Sequence, residues 1–99
     1  MSDAIVLEFK GVTAAQYQAV NTILGIDTAT GEGDWPEGLL SHTGATGDGG
    51  SLVVFEVWDS QESQGNFMAS RLGPALDKVG LPDPARVEWL SIVGNHHTD

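Results

Sequence analysis

Three segments of this chain are apolar on both sides of an extended strand. Over Ala4–Phe9, Ile5, Leu7 and Phe9 alternate with Ala4, Val6 and Glu8. Over Ser51–Trp58, Val53, Phe55 and Val57 alternate with Leu52, Val54, Glu56 and Trp58, and Val87–Val93 repeats the pattern. An antiparallel sheet can leave one face to water only if that face is polar. Here both faces ask for cover, and the rest of the sequence offers only two helical segments, enough for one. The uncovered face would be a large apolar patch on a monomer. Two-fold pairing of identical sheets is the commonest way to close such a patch, so a homodimer is expected.

The punctuation between the strands is clear. Thr13-Ala14-Ala15-Gln16 has the form of a capping box, with Val12 and Tyr17 spaced for a hydrophobic staple. Tyr17, Val20 and Leu24 follow at helical spacing, and Gly25 offers a C-terminal cap, which predicts a helix over 14–24. Residues 25–38 form a long, acidic, Gly-rich loop holding Trp35-Pro36. Leu39–Ala45 reads as a strand, followed by the turn region GATGDGG with its Asp48-Gly49 hairpin signal.

Ser60 caps a second helix, with Glu62 near its positive end. Gln64, Phe67, Met68, Leu72, Ala75, Leu76 and Val79 keep one apolar stripe across Gly73-Pro74, where a kink or short break is expected. Gly80, Pro82 and Pro84 end it. The order β-α-β-β-α-β predicts an α+β, ferredoxin-like fold with an antiparallel sheet, in one domain spanning residues 1–99.

Composition removes several function classes. Fourteen Asp and Glu against four Lys and Arg give a net charge of −10, which argues against nucleic acid. No polybasic patch suits an anionic membrane surface, and no apolar run approaches the roughly 20 residues of a spanning helix. The absence of cysteine excludes a disulfide scaffold and a thiol nucleophile. The N-terminus MSDAIVLEFK lacks the basic region of a secretory signal, so a cytoplasmic protein is expected.

Glu56-Val57-Trp58-Asp59-Ser60, then Phe67 and Arg71-Leu72-Gly73-Pro74-Ala75-Leu76, and Gly38-Leu39-Leu40-Ser41-His42 before the Gly-rich turn carry a family resemblance. Over nearly its whole length the chain resembles the dimeric α/β-barrel superfamily, in particular small antibiotic-biosynthesis-monooxygenase-like proteins. The resemblance implies a pocket between the helices and one sheet face, and a second subunit closing a barrel. It also implies a range of activities: cofactor-independent oxidation of polycyclic phenols, haem degradation, or no catalysis. Haem-degrading members place a His on the second helix and an Asn near the end of the first strand. Here no histidine lies between His42 and His96, and Phe9-Lys10 stands at that strand end, so no cofactor is expected.

The candidate site residues each carry two readings. The resemblance directs Trp58 into the cavity, while its size equally suits sheet–helix packing. His42 is the one histidine outside the tail, so it is the internal candidate for acid–base chemistry. A two-residue Asp48-Gly49 loop sets it opposite Phe55, whereas an odd-length loop moves it beside Glu56 and Trp58, because a one-residue slip reverses every side chain. Glu56 and Glu8 interrupt apolar strands and could act as a carboxylate pair, or Glu8 could pair with Lys10, Arg71 or Arg86. Tyr17 either enters the pocket or serves only the staple. Asn66 either orients a ligand or faces water, and Phe67 lines or fills the pocket.

Asp27, Glu32, Asp34 and Glu37 lack the EF-hand spacing, His96 and His97 read as solvated, and no metal site is expected. Trp35-Pro36 is a candidate lid or partner anchor. These residues support a small protein binding an apolar or aromatic ligand. The alternative is a cofactor-independent monooxygenase on a phenolic substrate, with His42 as base.

Overall fold

A computed structural model describes residues 2–47 and 49–96. Asp48 of the expected turn and His97 of the terminal pair lie outside the described residues. The elements run β1 (Asp3–Lys10), α1 (Ala14–Leu24), β2 (Ile26–Asp27), β3 (Glu32–Gly33), β4 (Leu39–Thr46), β5 (Ser51–Trp58), α2 (Gln61–Phe67), α3 (Gly73–Val79) and β6 (Arg86–Ser91). Four strands form one antiparallel sheet in the order β4-β5-β1-β6, and β2 and β3 pair separately. This is the ferredoxin-like α+β arrangement that the element order predicts.

The caps form as the sequence specifies. Gln16 N–H donates to Thr13 Oγ1 at 3.2 Å while Thr13 N–H donates to Gln16 Oε1 at 2.9 Å. Ser63 N–H donates to Ser60 Oγ at 3.2 Å at the start of α2. Gly25 and Gly80 end α1 and α3 in the left-handed conformation.

Two features differ from expectation. Residues 25–38 are not wholly a loop, since they contain the two-residue β2–β3 ladder. Nor does the second helix break at Gly73-Pro74: a π segment, Met68–Leu72, joins α2 to α3 without interruption. The wide turn accounts for this. The Gly73 N–H reaches back to Met68 O, and the shifted register accommodates a proline that would otherwise clash with the preceding turn.

The helices cover one sheet face. Ile5, Leu7, Phe9, Leu52, Val54 and Trp58 pack there against Val20, Leu24, Phe67, Ala75 and Leu76. The opposite face carries Val6, Val53, Phe55, Val57 and Leu90, with no helix over it.

Which face β4 turns to the helices is decided by one short loop. Gly47 N–H donates to Ser51 O at 2.9 Å and Gly50 N–H to Gly47 O at 3.3 Å, with Gly50 at φ +76°. A three-residue hairpin loop closing on a left-handed glycine does this. Its odd length sets His42 opposite Glu56 and Thr43 opposite Phe55, which selects the odd-loop alternative. The pairing shifts by one residue between Leu39 and Ser41, where a bulge ends the effect.

Candidate functional site

The helix-facing side of β5 holds a charged residue among apolar ones. Glu56 is only 4% exposed, and both of its carboxylate oxygens are engaged. Oε2 lies 2.7 Å from His42 Nδ1, and Oε1 accepts from Trp58 Nε1–H at 3.0 Å. The carboxylate accepts, so Nδ1 carries the imidazole proton and Nε2 is left as an acceptor. Tyr17 O–H, from α1, meets that Nε2. The Tyr17 and His42 rings are parallel within 1° with centroids 5.9 Å apart, too far for face-to-face stacking and suited to an in-plane hydrogen bond. A directed chain results, Tyr17 to His42 to Glu56, with Trp58 fixing the far carboxylate oxygen.

Local sequence makes this meeting feasible. Gly44 stands two residues beyond His42 on the same face of β4, and a Cβ built there would lie 2.6 Å from Tyr17 Cζ. Only glycine lets the phenol ring lie across the strand and reach the histidine.

Trp35 covers the pair from the other side, its ring 5.5 Å from that of His42. The loop holding it is tied down. Arg71 Nη2 donates to Leu24 O at 2.8 Å and to Asp34 O at 2.7 Å, Asp34 N–H donates to Gly25 O at 2.8 Å, and Trp35 Nε1–H donates to Gly31 O at 2.9 Å.

The Tyr17 pKa is raised from its ordinary 10.0. Burial is the largest cause, and the Glu56 charge adds to it. The Asn21 amide, one helical turn on, acts in the opposite direction by favouring the phenolate, without completing a hydrogen bond: Asn21 Nδ2 has no hydrogen-bond partner.

Two spaces meet at this cluster. Inside, between helices and sheet, is an apolar cavity of about 50 Å³. Outside, between α1, the β2–β3 loop and β4, is an open groove of about 570 Å³. Tyr17, Trp35, His42 and Leu52 line both and form the boundary between them.

The structure therefore brings His42, Tyr17 and Glu56 together, with Phe67 on the inner cavity wall. It does not bring Trp58 to the cavity. That side chain is 0% exposed, and it reaches the site from beneath, by its bond to Glu56 and by packing 5.8 Å from the Phe67 ring. Asn66 is separated altogether. One position before buried Phe67, it points about 100° around the helix and lines a different groove with Ser63, Ser70 and Arg71.

Glu8 and Glu56 lie on opposite faces, since Glu8 pairs in register with Val53, so no carboxylate pair forms. Arg86 pairs with Glu88, and Arg71 with the Trp35 loop. Among the described residues no group of three or more metal-ligating side chains converges. In the acidic loop, Asp27 Oδ1 instead accepts the Ala29 and Thr30 amides. Asn21 escaped the sequence reading. Its signal was its place four residues after Tyr17, inside the stripe of Val20 and Leu24.

An antiparallel four-stranded sheet covered by helices on one face defines a ferredoxin-like α+β fold. No family model matches the chain, and no curated protein matches it in sequence. Solved structures do match. Rv0793 from Mycobacterium tuberculosis is 21% identical with a TM-score of 0.69, covering 98% of this chain and 100% of that one. SnoaB, a cofactor-independent oxygenase from Streptomyces nogalater, is 16% identical with a TM-score of 0.67, covering 95% of each. The ActVA-Orf6 monooxygenase of Streptomyces coelicolor, solved with the ligand Nanaomycin D, is 21% identical with a TM-score of 0.61, covering 99% of this chain and 92% of that one. The likeness is one of fold: the chain has the architecture of antibiotic-biosynthesis-monooxygenase-like proteins. No helix among the described residues is long and apolar enough to cross a membrane.

Proposed function

We propose that the chain binds a small aromatic ligand bearing an ionisable hydroxyl and oxidises it with dioxygen without a cofactor. The observation that carries this reading is the Tyr17–His42–Glu56 chain at the mouth of an apolar cavity. Tyr17 gives its proton to His42 Nε2 as it takes one from the ligand hydroxyl, and Glu56 stabilises the imidazolium that forms. The phenolate so made is electron-rich enough to reduce dioxygen. The groove of about 570 Å³ suits a bicyclic or tricyclic ligand, and the cavity of about 50 Å³ does not. The oxygenase SnoaB and the monooxygenase ActVA-Orf6, which share this fold, point the same way.

Oxygen uptake with a panel of dihydroxynaphthalenes tests the reading. Wild type consumes oxygen, and His42→Ala lowers kcat/KM by about 10²–10⁴-fold, the usual contribution of a positioned base. Equal rates in the two proteins overturn it. Ligand binding without oxygen uptake returns the chain to a binding role. A second copy of the chain covers the open sheet face in this proposal, and sedimentation at micromolar concentration reads that directly.

A further inference from the structure

The inner cavity has no evident use for an aromatic ligand. It holds about 50 Å³, enough for a diatomic molecule or a water and far too little for a ring. Leu7, Val20, Leu24, Val54 and Leu76 make its walls aliphatic. Tyr17, His42 and Glu56 line it too, with their polar atoms bonded among themselves and to Trp58, which leaves one polar wall group unaccounted for. Asn21 is 5% exposed, and its Nδ2 has no hydrogen-bond partner. Buried donors are nearly always paired, and leucine at this helical position would fill the same stripe without the desolvation penalty.

An occupant that satisfies both facts enters as a small neutral molecule and becomes a hydrogen-bond acceptor later. Water fits poorly, because a buried water needs two to four polar partners and Asn21 Nδ2 is the one polar atom of this lining that stands unengaged. We propose that the inner cavity is the dioxygen site, and that Asn21 Nδ2 donates to the negative charge that dioxygen acquires on reduction. This rests on the oxygenase reading above and adds a second chamber to it. The organic ligand lies in the outer groove, dioxygen lies within, and the two meet where Tyr17 and His42 line both chambers.

The chemistry balances with dioxygen as oxidant. The phenolate passes one electron to dioxygen, giving a phenoxyl radical beside superoxide. The pair recombines with formation of one C–O bond, and the peroxide takes the proton held on the Tyr17–His42 relay. Loss of the ring C–H proton with O–O cleavage leaves a quinone carbonyl and one water. One oxygen atom ends in each product. Asn21 acts where charge develops, and a preorganised donor there is worth most in a water-poor site.

Xenon-pressurised crystals of the wild type test the cavity without requiring turnover. One xenon atom is expected beside Asn21. Val20→Leu, one methylene larger, excludes xenon and raises the KM for dioxygen about tenfold, leaving the KM for dihydroxynaphthalene unchanged. Asn21→Leu lowers kcat/KM for dioxygen by about 10²-fold, the effect of losing one oxyanion-type donor, and Asn21→Ser recovers part of it. An ordered water on Asn21 Nδ2 with no xenon site overturns the proposal, as does full dioxygen kinetics in Asn21→Leu. Xenon in the cavity of a protein that consumes no oxygen with any phenol overturns the oxygenase reading and the role of Asn21, while the gas-sized cavity stands.

Discussion

Phe55 and Glu56 are neighbours on one strand, and their exposures are inverted. The aromatic is 42% exposed and the carboxylate 4%. A strand sends successive side chains to opposite faces, so the pair samples the two sides of the sheet at one point. On the helix side, every polar atom of the Tyr17–His42–Glu56–Trp58 chain has a partner within an apolar wall. On the other side, Val6, Val53, Phe55 and Val57 form an apolar surface, with Glu8 of β1 and the exposed Arg86–Glu88 pair of β6 beside it. The two faces are built for different things. In the proposed function, buried polarity serves chemistry and exposed apolarity serves association.

The sharpest way to break the covered face is Glu56→Ala. It leaves His42 Nδ1–H and Trp58 Nε1–H unpaired in a buried setting, which costs about 3–5 kcal/mol by urea unfolding, the range for removing one partner of a buried pair. Glu56→Gln retains an acceptor for one of them and costs less. Phe55→Ala, one residue away, changes monomer stability by about 1 kcal/mol or less, in line with a partly exposed site. If Glu56→Ala proves as mild as Phe55→Ala, the contrast between the faces is wrong.

The open face breaks through association instead. Phe55→Asp sets a charge at the centre of the apolar patch, and a two-fold pairing meets it twice. Association weakens by about 2–4 kcal/mol, comparable to a central interface residue, with the far-UV spectrum unchanged. Sedimentation across a concentration series reads the shift. A wild type that stays monomeric at micromolar concentration removes the pairing altogether.

The two faces were not equally legible in the sequence. Period-two alternation in Ala4–Phe9 and Ser51–Trp58, the capping box at Thr13 and the cap at Ser60 are local signals, and local physics sets them. Which side His42 takes is not local. It depends on whether the loop after Gly47 holds two residues or three, and a run of glycines accommodates both. The left-handed Gly50 and the bond from Gly47 to Ser51 decide it, and only the folded hairpin displays them. Asn66 is a pocket candidate because it lies on the right helix, but one position in a helix is about 100° of arc. Trp58 sits on the correct face, yet it lies beneath the cavity and supports the carboxylate. Gly44 was an available clue, since a glycine two residues past a strand histidine marks a close approach.

Asn21→Leu sharpens the picture of the covered face in the opposite direction. Removing an unsatisfied buried amide stabilises the fold by about 1–3 kcal/mol, read as a higher urea midpoint at unchanged slope. Combined with lower activity toward dioxygen, a gain in stability marks Asn21 as a residue kept for function against the interest of the fold. A loss of stability instead indicates that the amide is already satisfied in solution.

The smallest effect is the cleanest to read, because Tyr17 is the only tyrosine in the chain. Tyrosinate absorbance therefore titrates the site with no competing phenol. The native midpoint lies above the ordinary 10.0, chiefly because burial disfavours the phenolate, with the Glu56 charge adding to the rise. Glu56→Gln removes that charge and lowers the midpoint, whereas Asn21→Leu removes the opposing amide and raises it. The linkage sign follows. A phenol whose pKa is higher folded than unfolded lends stability that is complete below about pH 10, and this is lost as the pH climbs through the folded value. Tyr17→Phe abolishes the titration and flattens that alkaline loss. Phe55→Asp, on the far face, leaves the midpoint where it was. A native midpoint at or below 10 places the phenol in water and dissolves the relay; the same midpoint in Glu56→Gln and wild type cuts the tyrosine off from the carboxylate.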